Sequence, residues 1–393
     1  HTQGLTMELI KTLEKFGAKG TFDVIGSTSG NYPDVPGKHG SASWGGKKYD
    51  HYPDIGHDSE GGALACPELI DRLISGGHEI TSHTYSHVLY GWKPLVYGRR
   101  HYLGDIDKVV ADLQKLHSLL KDEHGYEIKL SRPPHYVDGI SPHLTSYDAY
   151  GIMGYQYMAA SFDGAGWLPL ESYEAEVAAT WKPLEKALEE SESSLCGQII
   201  FQKDGFNMAR RTPIADGLEV QLELLQKYGY RVITVSDLLK ISPFSDLGPG
   251  DVHFADAKYL LEKGYCTAYR DNTVRSENIM TRGELAMTAF GWDGIPERIS
   301  RIKTSGKSYF ADVPAHHPYG GAIGAAVASC AMAAYEGSSF CPDKALSFDD
   351  LSSFCLNRFG HLPRMEDCPN MTRGQVFCVL ADMQRRQSAV NEL

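Results

Sequence analysis

"GGHEITSHTYSHVLYG", residues 76–91, places His83 and His87 four positions apart just after a short apolar run. On a helical turn, two imidazoles at that spacing point the same way and can chelate one ion. Spacing alone does not decide the matter. With 16 histidines in 393 residues, about 0.6 such pairs arise by accident. The flanks say more. Pro67 opens a helix that turns Leu69, Ile70, Leu73 and Ile74 inward, and Gly76-Gly77 closes it. "HEITSH" then reads as the next strand, so the two histidines stand at a strand end.

The same rhythm runs outward in both directions. "LTMELIKTLEKFG" sets Leu5, Leu9, Leu13 and Phe16 on one helical face, and "GTFDVIG" follows as a short strand. Ile106, Val109, Val110, Leu113 and Leu116 form another helical stripe. "YEIKLSRPP", "YQYMAASF" and "GQIIFQKD" read as strands, "IADGLEVQLELLQKYG" as a helix, and "RVITVSDLL" as a strand running into a short helix. Repeated βα units predict a parallel sheet or barrel with helices outside, and a site at the carboxyl ends of the strands. Residues 26–61 interrupt the pattern. They are rich in Gly, Ser, Tyr and His and carry no period. A loop that long is functional or disordered, so Tyr32, Trp44, Tyr49 and Tyr52 either wall a substrate cleft or belong to a mobile insertion.

Composition narrows the partners. The formal net charge of −12 and the lack of a basic run argue against nucleic acid. No stretch approaches the ~18–20 consecutive apolar residues of a membrane span, so no transmembrane segment is expected. The chain opens on His1, and no signal peptide is legible there. Of eight cysteines, six crowd the last third, and none forms a C-x-x-C pair. That makes a cysteine zinc ribbon improbable and leaves disulfides or buried thiols open.

After residue 242 the character changes. "PFSDLGPGDVHFADAKYLLEKGYCTAY…MTRGELAM" recurs loosely as "SYFADVPAHHPYGGAIGAAVASCAMAAY…LSFDDLSS". Asp246 and Asp312, Tyr269 and Tyr335, and Leu285 and Leu351 are each 66 apart; Cys266 and Cys330 are 64 apart. "MTRGQVFCVLADM" repeats the tail element once more. A fixed period signals a repeat module. The equivalence of Cys266 and Cys330 points to a packing position rather than a bridge.

Four segments at strand ends carry the chemistry. "SHTYSH" offers His83 and His87; "SRPPHY" offers Arg132 before two stiffening prolines; "FDGAGW" offers Asp163 and Trp167; "IIFQKDG" ends in Gln202, Lys203 and Asp204. Their order and flanks resemble the polysaccharide deacetylases of the NodB homology group. The motifs of that family are a D-D-G turn, H-[ST]-x-x-H, R-x-P-[YF], D-x-x-x-W and a strand ending in His-Asp. The resemblance covers about 240 residues and implies an α/β fold: a distorted (β/α) barrel over 1–241 with an insertion at 26–61. It also implies a divalent metal, zinc or cobalt, and hydrolysis of acetyl groups from an acetylated glycan.

Carried over residue by residue, His83 and His87 would be metal ligands. Arg132 would orient a catalytic aspartate, and Asp163 would hold Arg132. Trp167 would line the acetyl pocket; Trp44, from the aromatic 26–61 insertion rather than from the family's motifs, is a further expected substrate contact. The backbone near His135, where the family usually has Tyr, would serve the oxyanion. Two departures stand out. The D-D-G turn would lie immediately before His1, so the resemblance implies a barrel lacking its first strand. Asp23 superficially imitates that motif but matches the family's second strand. Gln202 or Lys203 stands where the terminal histidine is expected. Lys203 could replace it as the acid, or be a solvated lysine at a strand end.

Residues 243–393 resemble S-layer homology repeats, which open with F-x-D and resume at [IL]-T-R-x-E; "FSDL", "MTRGEL", "YFADV" and "MTRGQV" echo them. The resemblance implies a smaller, mainly α module that binds cell-wall polymer through Arg282 and Arg373, unless both arginines merely cap their helices. Ser347-Phe348 replaces Thr-Arg in the second repeat. The expected function is deacetylation of peptidoglycan amino sugars by an extracellular, cell-wall-associated enzyme. The alternative is a glycan-binding or wall scaffold on an impaired barrel.

Overall fold

The computed structural model describes residues 3–27, 49–50, 57–58, 61–92, 102–205, 207, 209, 211–241, 243–266, 268–269, 273–303, 308, 310–335, 338–365 and 370–391. Trp44 and most of the 26–61 insertion lie outside them. The chain divides into two compact units, 1–240 and 241–393.

The first unit alternates helices and parallel strands. Helix α1 (Gln3–Lys15) buries Leu5, Leu9, Ile10 and Leu13, and β1 (Thr21–Val24) follows. Helix α2 (Pro67–Ser75) buries Leu69, Ile70 and Leu73 and leads into β2 (Glu79–Ser82), all four residues of which are buried. Helix α3 (Ile106–His124) starts where the Asp105 carboxylate accepts from Asp107 N–H, and it stops at the left-handed Gly125. Then come β3 (Leu130–Ser131), α4 (Ser146–Met153), β4 (Gln156–Tyr157), β5 (Phe162–Asp163), α5 (Tyr173–Glu190), β6 (Ile200–Phe201), α6 (Ile214–Lys227) and α7 (Val235–Ile241).

Strands β1-β2-β3-β4 form one parallel sheet in chain order, while β5 and β6 form a separate parallel pair. Among the described residues no ladder joins these two segments, and three further two-stranded pairs stand apart from them: Leu89–Tyr90 with Tyr102–Leu103 (parallel), Tyr49–Asp50 with His57–Asp58 and Gly139–Ser141 with Leu144–Thr145 (both antiparallel). Strands of two residues make too few ladder bonds to bridge the gap. "YQYMAASF", expected as one strand, breaks at this gap into β4 and β5.

The second unit is helical: α8 (Phe254–Glu262), α9 (Arg282–Lys303), α10 (Gly320–Ala328), α11 (Phe348–Phe359) and α12 (Arg373–Asn391). Its centre is a backbone triangle. Met280 N–H donates to Met371 C=O (2.8 Å), Met371 N–H to Leu346 C=O (3.1 Å), and Leu346 N–H to Met280 C=O (2.8 Å). All three residues are fully buried. The three tail elements of the sequence repeat thus close a pseudo-threefold ring. The repeat also recurs in its turns. Asp246 accepts from Val274 and Arg275 N–H (2.7 Å each), and Asp312 accepts from Phe340 (2.9 Å) and Cys341 (2.6 Å) N–H. The cysteine equivalence is only partial, since Cys266 is buried and Cys330 exposed; among the described residues the cysteines are free thiols.

Candidate metal centre

The His83–His87 segment is not a helical turn. Beyond β2, Thr84 (φ 66°) and His87 (φ 51°) take the left-handed conformation, which costs about 1–3 kcal/mol per residue and needs outside support. That support is local. Thr84 Oγ1 accepts from Val88 N–H (3.1 Å), and the Asp112 carboxylate accepts from Tyr85 N–H (2.7 Å) and Ser86 Oγ–H (2.5 Å). The i,i+4 spacing brings the imidazoles together by another route than the one expected: their centroids are 5.1 Å apart.

His83 is tied on two sides. Its N–H donates to Val24 C=O, and its Nδ1 lies 2.9 Å from the Arg132 carbonyl oxygen. A carbonyl only accepts, so Nδ1 carries the proton and Nε2 keeps its lone pair. Burial, together with the charges of Arg132 and His87, pushes His83 well below the usual histidine range. A neutral imidazole with a free Nε2 and its other nitrogen bound to a carbonyl is the form a metal takes.

Arg132 follows β3, and its partner corrects the expectation. Its Nε stands 2.5 Å from Asp23 Oδ2, a charge contact rather than an aligned hydrogen bond. Asp23 Oδ1 accepts from Thr81 Oγ–H (2.5 Å). Burial disfavours the guanidinium charge, but Asp23 and the Tyr136 hydroxyl outweigh it and raise the Arg132 pKa. Asp163 does not hold Arg132. It sits on β5, in the other sheet segment, and its carboxylate turns back on its own loop. There it accepts from Ala165 N–H (2.9 Å) and Trp167 Nε1–H (3.2 Å). The D-x-x-x-W spacing is thus the span of one side-chain hydrogen bond that orients a half-exposed indole. Glycine is required at 164, where a Cβ would lie 2.1 Å from the Phe201 carbonyl oxygen.

At the end of β6, the Gln202 side chain is turned inward, and its Nε2–H donates to the buried Gln221 (2.8 Å). Lys203 carries a charge close enough to lower the His83 pKa. Asp204 accepts from Thr6 Oγ–H (2.8 and 3.0 Å), pinning the first turn of α1. His135 is exposed and left-handed (φ 55°), and its ring centroid lies 5.5 Å from that of His87. Among the described residues, no group of three histidine, cysteine or carboxylate donors is assembled around one point. They supply two imidazoles, and a catalytic zinc takes three protein ligands.

The family model "Polysaccharide deacetylase" matches residues 2–138. This chain carries a polysaccharide deacetylase domain. The family is one of hydrolases, and a second model, "S-layer homology domain", matches residues 309–351. Among solved structures, the chain is similar to a peptidoglycan deacetylase from Bacillus subtilis (17% identity, 60% of this chain and 83% of that one, TM-score 0.36). It is also similar to a family 4 acetyl xylan esterase from Clostridium thermocellum in complex with a cobalt ion (18%, 60% and 84%, TM-score 0.37). A third is a CE4 family pseudoenzyme from Bacillus anthracis (13%, 60% and 60%, TM-score 0.38). No curated protein is detectably similar.

Beyond the deacetylase domain, Arg282 and Arg373 are not presented to a polymer. Each residue is 4% exposed. Arg282 reaches into the next repeat, donating to Phe340 C=O (3.1 Å), Ala333 C=O (2.8 Å) and the Asp350 carboxylate, with its guanidinium over Tyr335. Arg373 reaches into the first repeat, donating to Val274 C=O (2.8 Å) and pairing with Glu284 (3.6 Å) over Tyr269. Both are staples between repeats. A staple at the third junction would join positions 348 and 375, and there the sequence has Phe and Gln: both the cation and the anion are gone. The T-R-x-E spacing contained this reading, because the acid that caps its own helix also faces the preceding repeat's arginine.

Proposed function

We propose that residues 1–241 act as a divalent-metal-dependent hydrolase on an acetylated cell-wall glycan, with the N-acetyl amino sugars of peptidoglycan as the favoured substrate. The two parallel sheet segments are read as parts of one distorted barrel. Residues 243–393 are read as the repeat module that holds the protein, outside the cell, to wall polymer, through surfaces other than Arg282 and Arg373. The observation that carries the proposal is His83, held with Nε2 free by the Arg132 carbonyl beside the His87 ring.

His83 and His87 would hold the ion, zinc or cobalt, which when bound polarises the acetyl carbonyl and acidifies water. The chain's own residues do the rest. The Arg132 carbonyl keeps His83 in its ligand tautomer. The Trp167 indole, oriented by Asp163, offers an apolar face to the acetyl methyl. The His135 backbone N–H would serve the developing oxyanion. Lys203 would protonate the departing amine or alkoxide. No helix among the described residues is long and apolar enough to cross a membrane.

A second reading, a wall-binding scaffold with an impaired site, is favoured by one feature: Lys203 replaces the better-matched histidine acid. Acetate release from peptidoglycan fragments and from acetylated xylan, by the zinc-loaded chain, separates the two. The enzyme reading predicts release that is lost in His83→Ala. Bound metal with no release from either glycan would leave the scaffold.

A further inference from the structure

We propose that Asp23 is the positioning residue of the metal centre, acting through Arg132 to hold His83 in its ligand form. The proposal rests on the reading of His83 and His87 as metal ligands. Asp23 faces Thr81 in the β1–β2 register, and side chains two apart on a strand share a face. Asp23 and Thr81 therefore lie one layer beneath His83.

The contacts form a closed circuit. Asp23 Oδ1 takes the Thr81 hydroxyl proton (2.5 Å), and Thr81 is fully buried. Asp23 Oδ2 meets Arg132 Nε at 2.5 Å, with side-chain exposures of only 16% and 11%. The Phe201 and Tyr136 rings lie with centroids 5.1 Å from the guanidinium carbon, which confines it. The Arg132 backbone is tied on both sides of its peptide: N–H to Ser82 C=O (3.0 Å), and C=O to His83 Nδ1 (2.9 Å). His83 N–H returns to Val24 C=O (2.9 Å), the residue after Asp23. Asp23 thus bears, through the Arg132 side chain, on the residue whose carbonyl selects the His83 tautomer.

Electrostatics act in the same direction. The Arg132 guanidinium is a positive charge that would repel a divalent cation, and Asp23 Oδ2, 2.5 Å from its Nε, offsets it. Asp163, which sequence order nominates for this role, is bonded within its own loop instead.

The test measures zinc affinity of the full chain by competition with a chromophoric chelator, with circular dichroism confirming the fold. Asp23→Asn is expected to weaken zinc about 10- to 100-fold, and Asp23→Glu to recover most of the loss. Asp163→Asn is expected to change it by less than about threefold, as befits a group outside the shell that orients the ligands. Zinc binding by Asp23→Asn within twofold of the parent, or a larger loss in Asp163→Asn, would overturn the proposal. A second readout needs no variant. Nitrogen-15 spectra of the metal-free chain should show His83 protonated at Nδ1, and protonation at Nε2 would overturn the circuit. The outcomes separate cleanly. Zinc weakened by Asp23→Asn in a chain that releases no acetate keeps this inference and sinks the deacetylase reading. Metal-dependent acetate release with Asp23→Asn binding zinc like the parent does the reverse.

Discussion

Arg132 in the first unit and Arg282 in the second are both buried cations facing a carboxylate, but they are held differently. Arg282 donates through Nε, Nη1 and Nη2 to two carbonyls and Asp350. Arg132 is held by a charge contact and by ring faces, and it is its backbone carbonyl that does chemistry on a neighbour. A saturated guanidinium is a staple, whereas one held by charge at a strand end can serve a site. The prominence of a motif does not distinguish the two uses; the list of partners does.

The largest expected effect is Arg282→Met. It takes the cation from the part-buried Asp350 carboxylate, which keeps the Tyr335 and Ser347 hydroxyls, and it leaves the Phe340 and Ala333 carbonyls without their donor. Losing one partner of a buried pair costs up to about 3–5 kcal/mol. Denaturant unfolding should show the repeat module melting early. Arg132→Met should instead weaken zinc about 10- to 100-fold and destabilise its unit less than Arg282→Met does the module. A repeat module unmoved by Arg282→Met would erase the contrast.

Acid sharpens the comparison next. Burial opposes charge on Asp350, but the Ser347 hydroxyl and Arg282 hold its pKa below the ordinary value; Asp312 is held low by the N–H groups of Phe340 and Cys341. A carboxyl depressed in the folded state adds stability above its unfolded value, about 4, and loses it as pH falls through the folded value. Module stability should therefore be flat from neutrality down to the ordinary carboxylate range and fall below it. Stability that rises on acidification would contradict the assignment.

The smallest effect concerns the neutral junction. Phe348→Arg alone should destabilise, and adding Gln375→Glu should recover part of the loss, with a coupling of about 0.5–1 kcal/mol in a double-mutant cycle. Zero coupling would mean that positions 348 and 375 do not face each other as the other two junctions do.

Much of this was legible in the sequence. The order of His83, Arg132, Asp163 and Trp167 gave the family, and the 66-residue offsets anticipated the turns capped by Asp246 and Asp312. What the sequence hid was direction. An aspartate between Phe22 and Val24 looks like an interruption in a strand, because its partner Thr81 is supplied by register and Arg132 by a third strand. The four-residue histidine spacing fits a helical turn as well as the left-handed turn that forms, and the choice rests on Asp112, a lone acid in an apolar helical stripe. Arg282 and Arg373 read as surface ligands because a period shows which positions are equivalent but not which repeat a side chain enters.

The most direct test is zinc stoichiometry of the intact chain by equilibrium dialysis, with His83→Ala and His87→Ala beside it. One bound equivalent is expected in the parent, with severe loss in both variants. Equal binding by parent and variants would place the metal elsewhere and contradict the site.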